Sequence, residues 1–166
     1  AGAYTPPARC VAALASAAVA AAGSMVPQEL SNSLWALALL QPLVPGSNYT
    51  PHAKALAAEG VRRGFAEFKP QDLANTAWAV AKLGGGEEAT VLTPLVAAAL
   101  QPGALEGFKP QELSNLWWAL ATARVRPDSH LLPRTAAVVA QGLCGEYNQQ
   151  DCANLLWALA VLRERD

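Results

Sequence analysis

A right-handed, all-α solenoid of four helix–turn–helix repeats of about 40 residues is the fold class that the sequence predicts. Three observations carry this. A string of twelve residues recurs four times, its spacing is nearly fixed, and each copy has helix-start chemistry. The copies begin at Pro27, Pro70, Pro110 and Gln149, and the third reads Pro110-Gln111-Glu112-Leu113-Ser114-Asn115-Leu116-Trp117-Trp118-Ala119-Leu120-Ala121. Gln28, Asn32 and Trp35 recur in register as Gln71, Asn75 and Trp78, as Gln111, Asn115 and Trp118, and as Gln150, Asn154 and Trp157. The four tryptophans are 43, 40 and 39 residues apart. The array divides into repeats 1–40, 41–83, 84–123 and 124–166.

Each copy of the string predicts a helix. Pro27, Pro70 and Pro110 fit the first helical position, where a missing N–H costs nothing. The acid two residues later lies in the first turn, at the positive end of the helix dipole. The fourth copy lacks the proline, but Asn148 and Asp151 resemble a capping box. Leu30, Leu34 and Leu37 form one stripe, continued sideways by small residues and Trp35, so most of the circumference is apolar. Such a helix is buried on most sides, which makes it the inner helix of its repeat.

The repeated Asn has two readings. One is a ladder of buried amides bonded to the adjacent repeat, as burial demands of an amide. The other is recognition of bases. Its invariance across the copies favours the first, because residues that read a sequence should vary. The recurring Trp reads as packing among Ala and Leu. Trp117 is the bulky exception at a position held elsewhere by Leu34, Ala77 and Leu156, and volume compensation predicts that it leans toward Ala77.

The preceding helix of each repeat follows from local signals. Thr5 is expected to cap a helix from Pro6 through the alanines to about Ala22, broken by Gly23-Ser24. Residues 41–49 read as a Pro/Gly loop, and Thr50 caps a second outer helix with Pro51 at its first position. Ala53, Leu56, Ala57, Gly60, Val61 and Gly64 share one face of it. Gly84-Gly85-Gly86 is a hinge or C-cap; no strand precedes it and no Gly-Lys-Ser/Thr follows, so it is no phosphate loop. The third outer helix spans about Glu87–Leu100. Pro94 and Pro133 each precede the motif Gln by 17 residues, which predicts a shared first-turn position, with Asp128 or Ser129 capping the fourth. Residues 101–107 form another Pro/Gly loop.

Composition excludes several classes. The chain has 166 residues, 52% hydrophobic, enough for one continuous core. Its net charge of −1 provides no global basic field. No apolar run fits a membrane span. Cys10, Cys144 and Cys152 form no CxxC, which argues for a reducing compartment and against disulfides or zinc. No nucleophile–His–acid constellation, metal cluster or nucleotide loop is legible, so neither an enzyme nor a cofactor is expected. Residue 1 is Ala and no targeting peptide is visible, so the chain is expected to be a piece of a longer one. Charge is uneven: residues 41–83 carry +2 and residues 84–123 carry −3. Arg9, His52, Lys54, Arg62, Arg63, Arg126, His130 and Arg134, on first helices and loops, are the candidates for phosphate contact. Alternatively, Lys54, Arg62 and Arg63 simply solvate a helix face, with Glu59–Arg63 as an i,i+4 pair.

The string Phe68-Lys69-Pro70-Gln71-Asp72-Leu73-Ala74-Asn75-Thr76-Ala77-Trp78-Ala79-Val80-Ala81, and its counterpart from Phe108, resemble the octotricopeptide repeat family. The resemblance covers all four repeats. It implies antiparallel helix pairs stacked as an α-solenoid, and location in a mitochondrion or chloroplast. It also implies binding of organellar mRNA or rRNA in stabilisation, processing or translation. Some members are built into organellar ribosomes. Three functions therefore compete: an RNA binder of organellar gene expression, an architectural subunit among ribosomal or other ribonucleoprotein partners, and a protein-binding scaffold without RNA.

Overall fold

The structure is a computed structural model that describes residues 5–141 and 146–163. Among them are eight α-helices and no strand: α1 Ala8–Ala21, α2 Pro27–Leu40, α3 Thr50–Arg62, α4 Pro70–Leu83, α5 Glu88–Ala99, α6 Pro110–Ala123, α7 Leu131–Gln141 and α8 Gln149–Arg163. The motif helices α2, α4, α6 and α8 stack in order, each on the one before, and make the most extensive contacts in the molecule. The outer helices α1, α3 and α5 stack likewise, whereas α7 rests chiefly on a 3-10 turn at Leu105–Gly107. The architecture is the expected all-helical repeat.

Local chemistry starts each inner helix in the same way. The acid at the third position accepts the backbone N–H of the N-cap: Glu29 from Val26 at 2.9 Å, Asp72 from Lys69 at 3.0 Å, Glu112 from Lys109 at 2.9 Å and Asp151 from Asn148 at 3.2 Å. Asn148 Oδ1 in turn accepts the Asp151 N–H at 2.9 Å, completing the box. The helix ends are equally local. α3 closes with the N–H of Phe65 donating to the Gly60 carbonyl and that of Gly64, at φ 60°, to Val61, a Schellman motif. A Cβ on Gly60 would lie 2.6 Å from the Phe65 ring, so the glycine is needed for this closure. α6 closes the same way with Arg124, at φ 55°, in the left-handed position.

Several boundaries differ from expectation. α1 begins at Ala8, not Pro6, because a residue before proline is pushed out of the helical region; Pro7 is extended and serves as N-cap. Thr50 is itself the first residue of α3, and Asn48 Oδ1 accepts its N–H at 3.1 Å. Gln41–Leu43 extends α2 as a 3-10 turn, and Gly64 falls beyond α3. Pro94 lies inside α5 rather than in its first turn. Buried Val91, Leu92, Leu95, Val96 and Ala99 anchor both sides of it, so packing holds a helix that proline weakens. Asp128 Oδ1 accepts the N–H of His130 at 2.8 Å, in the turn just ahead of α7, so it shapes the approach to the helix that begins at Leu131.

Trp117 is 1% exposed, and its Nε1 donates to Thr135 Oγ1 on α7 at 3.0 Å. It reaches forward into the fourth repeat instead of leaning back toward Ala77. Its position on the helix faces the following repeat, as does that of Ala77, so the two occupy successive interfaces.

Candidate nucleic-acid interface

Each residue advances a helix by about 100°. Gln71, Asn75, Trp78 and Lys82 therefore fall on one narrow stripe of α4. Thr76 and Val80 lie roughly opposite, towards the outer helices. Asp72 and Ala79 take the side facing α2, and Ala74, Ala77 and Ala81 the side facing α6. Burial follows this division. Thr76, Ala77 and Ala79 are 0% exposed, while Gln71 and Lys82 are exposed and Asn75 and Trp78 are half-buried.

The stripe repeats on every inner helix. Gln28, Gln71, Gln111 and Gln150 are all exposed. Asn32 is exposed, and Asn75, Asn115 and Asn154 are half-buried. Trp35 and Trp157 are 44% and 45% exposed. Trp78 and Trp118, one repeat apart, have ring centroids 6.2 Å apart and planes tilted by 30°. Gln150 Nε2 donates to Asn154 Oδ1 at 2.8 Å, an amide pair along the stripe. The face is thus a lattice of carboxamides and indoles running across the stack, with exposed Lys69 and Lys109 just ahead of α4 and α6.

This corrects the reading of Asn as a buried ladder. The buried polar link between inner helices comes from other residues. Ser31 Oγ donates to Asp72 Oδ1 at 3.0 Å, and Ser114 Oγ donates to Asp151 Oδ1 at 3.2 Å. Ser31, Ser114, Asp72 and Asp151 are buried, and the single O–H of each Ser is shared between the carboxylate and a carbonyl of its own helix. At the middle joint the Ser position is Ala74 and the acid is Glu112, whose carboxylate turns to its own N-cap.

Most of the candidate cations bind protein. Lys54 Nζ reaches Glu87 Oε2 at 3.1 Å and the Gly85 carbonyl at 3.2 Å, joining repeats two and three. Arg63 donates to Glu59 at 2.7 Å and to the carbonyls of Met25 at 2.6 Å and Ala22 at 2.8 Å, joining repeats one and two. Arg134 donates to the Leu100 carbonyl at 2.6 Å and to Glu106 at 3.0 Å, joining repeats three and four. Arg62 pairs with Glu59 at 2.6 Å. Hydrogen bonds from Arg62 and then Arg63 hold the Glu59 carboxyl down at about 2. The N–H of Glu106's own backbone, then Arg134, lowers the Glu106 carboxyl. His52 Nε2 lies 3.2 Å from Ser16 Oγ. Arg9, Arg126 and His130 are exposed.

The signature residues were visible in the sequence, but their exposure was not inferred. The signal was there: Gln, Asn and Trp at i, i+4 and i+7 share one stripe. A carboxamide offers both donors and an acceptor, which suits base edges, and an exposed indole offers a stacking plane. Among the described residues no group of three or more His, Cys, Asp or Glu could hold a metal ion. Cys10 and Cys152 are exposed free thiols, and Cys144 lies outside the described residues. No helix of the described residues is long and apolar enough to cross a membrane. Compared with known proteins, the chain matches no family model, no curated protein and no solved structure.

Proposed function

We propose that the chain is an RNA-binding helical-repeat protein, of the octotricopeptide type its motif resembles, acting in organellar gene expression. The observation that carries the reading is the stripe of Gln, Asn and Trp left open on all four inner helices. Single-stranded RNA is recognised by stacking its bases on aromatic rings and by hydrogen bonds to their edges. The stripe supplies both kinds of group once per repeat. Phosphate attraction is the minor contribution, because Lys54, Arg63 and Arg134 are engaged between repeats.

The uniformity of the stripe favours one refinement. A face that presents the same Gln, Asn and Trp four times holds any base alike. This supports the architectural role, in which the chain holds RNA within a ribonucleoprotein without reading its sequence.

A titration of tryptophan fluorescence with single-stranded RNA oligomers tests the proposal. Quenching should saturate, with similar midpoints for oligo-U and oligo-A and a shallow dependence on salt. Trp78→Ala with Trp118→Ala should weaken binding by about 1–3 kcal/mol per lost stack. Absence of quenching and of binding at low salt would leave the protein-scaffold reading in its place.

A further inference from the structure

Among the described residues, arginines cross the first and last joints between repeats, and each time the cation belongs to the following repeat. Arg63 of repeat two reaches back to the Ala22, Gly23 and Met25 carbonyls, in the turn ahead of α2. Arg134 of repeat four reaches back to the Leu100 carbonyl and to Glu106. The middle joint has no such arginine. Eight residues before the motif Gln, where repeat two has Arg63, repeat three has Gly103. Sixteen before it, where repeat four has Arg134, repeat three has Leu95.

The turn that such a cation meets is nevertheless built. In repeat one the Ala22 carbonyl accepts the Met25 N–H at 3.2 Å, and in repeat two the equivalent Phe65 carbonyl accepts the Phe68 N–H at 3.2 Å. Each carbonyl keeps a second lone pair, which in repeat one goes to Arg63. Between the turn of repeat two and repeat three lies a cleft of about 650 Å³. Phe65, Glu67 and Phe68 line it on one side, Ala97, Gln101 and Gly103 on the other. The cleft is internal to the array, away from both ends of the chain, and none of its lining residues belongs to the Gln–Asn–Trp stripe. Glu67 is exposed, and among the described residues no cation pairs with it.

We infer that this cleft receives an arginine side chain of a partner polypeptide, its guanidinium on the Phe65–Phe68 turn and Glu67, its stem against Ala97. Carbonyls and a carboxylate offer acceptors only, so they select a cation. The planar fork of a guanidinium meets several acceptors at once, as Arg63 does with Glu59 and the Met25 and Ala22 carbonyls. The tether follows from entropy. A free guanidinium loses its translational and rotational freedom for a few hydrogen bonds, whereas Arg63 is held in place by its own chain. A partner polypeptide holds its arginine in the same way.

Amide NMR of the wild-type chain, titrated with three capped tripeptides, tests this. The peptides are Gly-Arg-Gly, Gly-Lys-Gly and Gly-citrulline-Gly, the last keeping the shape of arginine without its charge. The arginine peptide should shift the amides of residues 64–68 and 101–104 and saturate. The citrulline peptide should bind about tenfold more weakly, because the hydrogen bonds from a charged donor are lost. Glu67→Gln should weaken the arginine peptide about two- to fivefold and leave the Trp78 and Trp118 indole signals unmoved. An arginine peptide that leaves residues 64–68 and 101–104 unshifted at its solubility limit overturns the inference. So does a lysine or citrulline peptide that binds as tightly, and so do shifts confined to the indoles. The wild-type titrations decide the matter even if Glu67→Gln does not fold.

Discussion

The first and last joints of the inner stack differ from the middle one. Between α2 and α4, and between α6 and α8, a buried Ser hydroxyl donates to a buried Asp that also caps its helix. Between α4 and α6 the Ser is replaced by Ala74, the Asp by Glu112, and the indoles of Trp78 and Trp118 approach to 6.2 Å. One carboxylate oxygen caps in every case. At the two Asp joints the carboxylate also meets a hydroxyl from the preceding helix, and at the middle joint Ala74 offers none. Equivalent scaffolds are therefore fastened by different means, a polar lock at the ends and apolar contact in the middle. The Gln, Asn and Trp of the stripe recur at every joint, so the difference lies in how the helices cohere.

The largest expected effect falls beside the last joint. Trp117→Ala removes a fully buried indole and strands the Thr135 hydroxyl, and should cost about 3–5 kcal/mol in chemical denaturation. Trp117→Phe should recover most of it if packing dominates over the hydrogen bond.

Asp72→Ala should come next, at about 2–3 kcal/mol, from a lost cap and the lost Ser31–Asp72 hydrogen bond. Converting the joint is more informative. Asp72→Glu alone should destabilise, while Ser31→Ala with Asp72→Glu should approach wild type by copying the middle joint. Additivity of the two changes in a double-mutant cycle would show that the pairing has no energetic content.

A third test uses acid. The Glu59 carboxyl is lowered from 4.5 to about 2. A depressed carboxyl contributes stability that is present above its unfolded value and lost as pH falls toward the folded one. The loss therefore lies between about pH 4.5 and about pH 2. Thermal midpoints of wild type should fall faster across that window than those of Glu59→Gln, which lacks the titrating group. Parallel slopes would remove Glu59 from the clamp that Arg63 makes on repeat one.

The smallest effect is backbone relief. Arg124→Gly at a left-handed position should stabilise by about 0.5–1 kcal/mol, with no change in RNA affinity. A loss of affinity would place Arg124 in the interface.

The inner helices were legible to the residue because their signals are local. Pro at the first position and an acid at the third define where α2, α4 and α6 start, whatever they pack against. The cations were not legible in the same way. Arg63 looks in sequence like a surface charge, and only the fold brings the Met25 and Ala22 carbonyls to it. The Asn stripe failed for a related reason. An apolar helix with one polar row is compatible with burial or exposure, and the choice depends on which side the neighbouring helices leave uncovered. Pro94 shows the converse, tertiary burial holding a helix together against local propensity.

In the proposed function the repeated Asn faces RNA and not a neighbouring helix. Asn75→Ala with Asn115→Ala, measured by anisotropy against single-stranded RNA alongside a denaturation curve, tests it most directly. Weaker RNA binding, by a similar factor for every homopolymer, is expected at an unchanged unfolding midpoint. Unchanged binding with a lowered midpoint would return these amides to packing and contradict it.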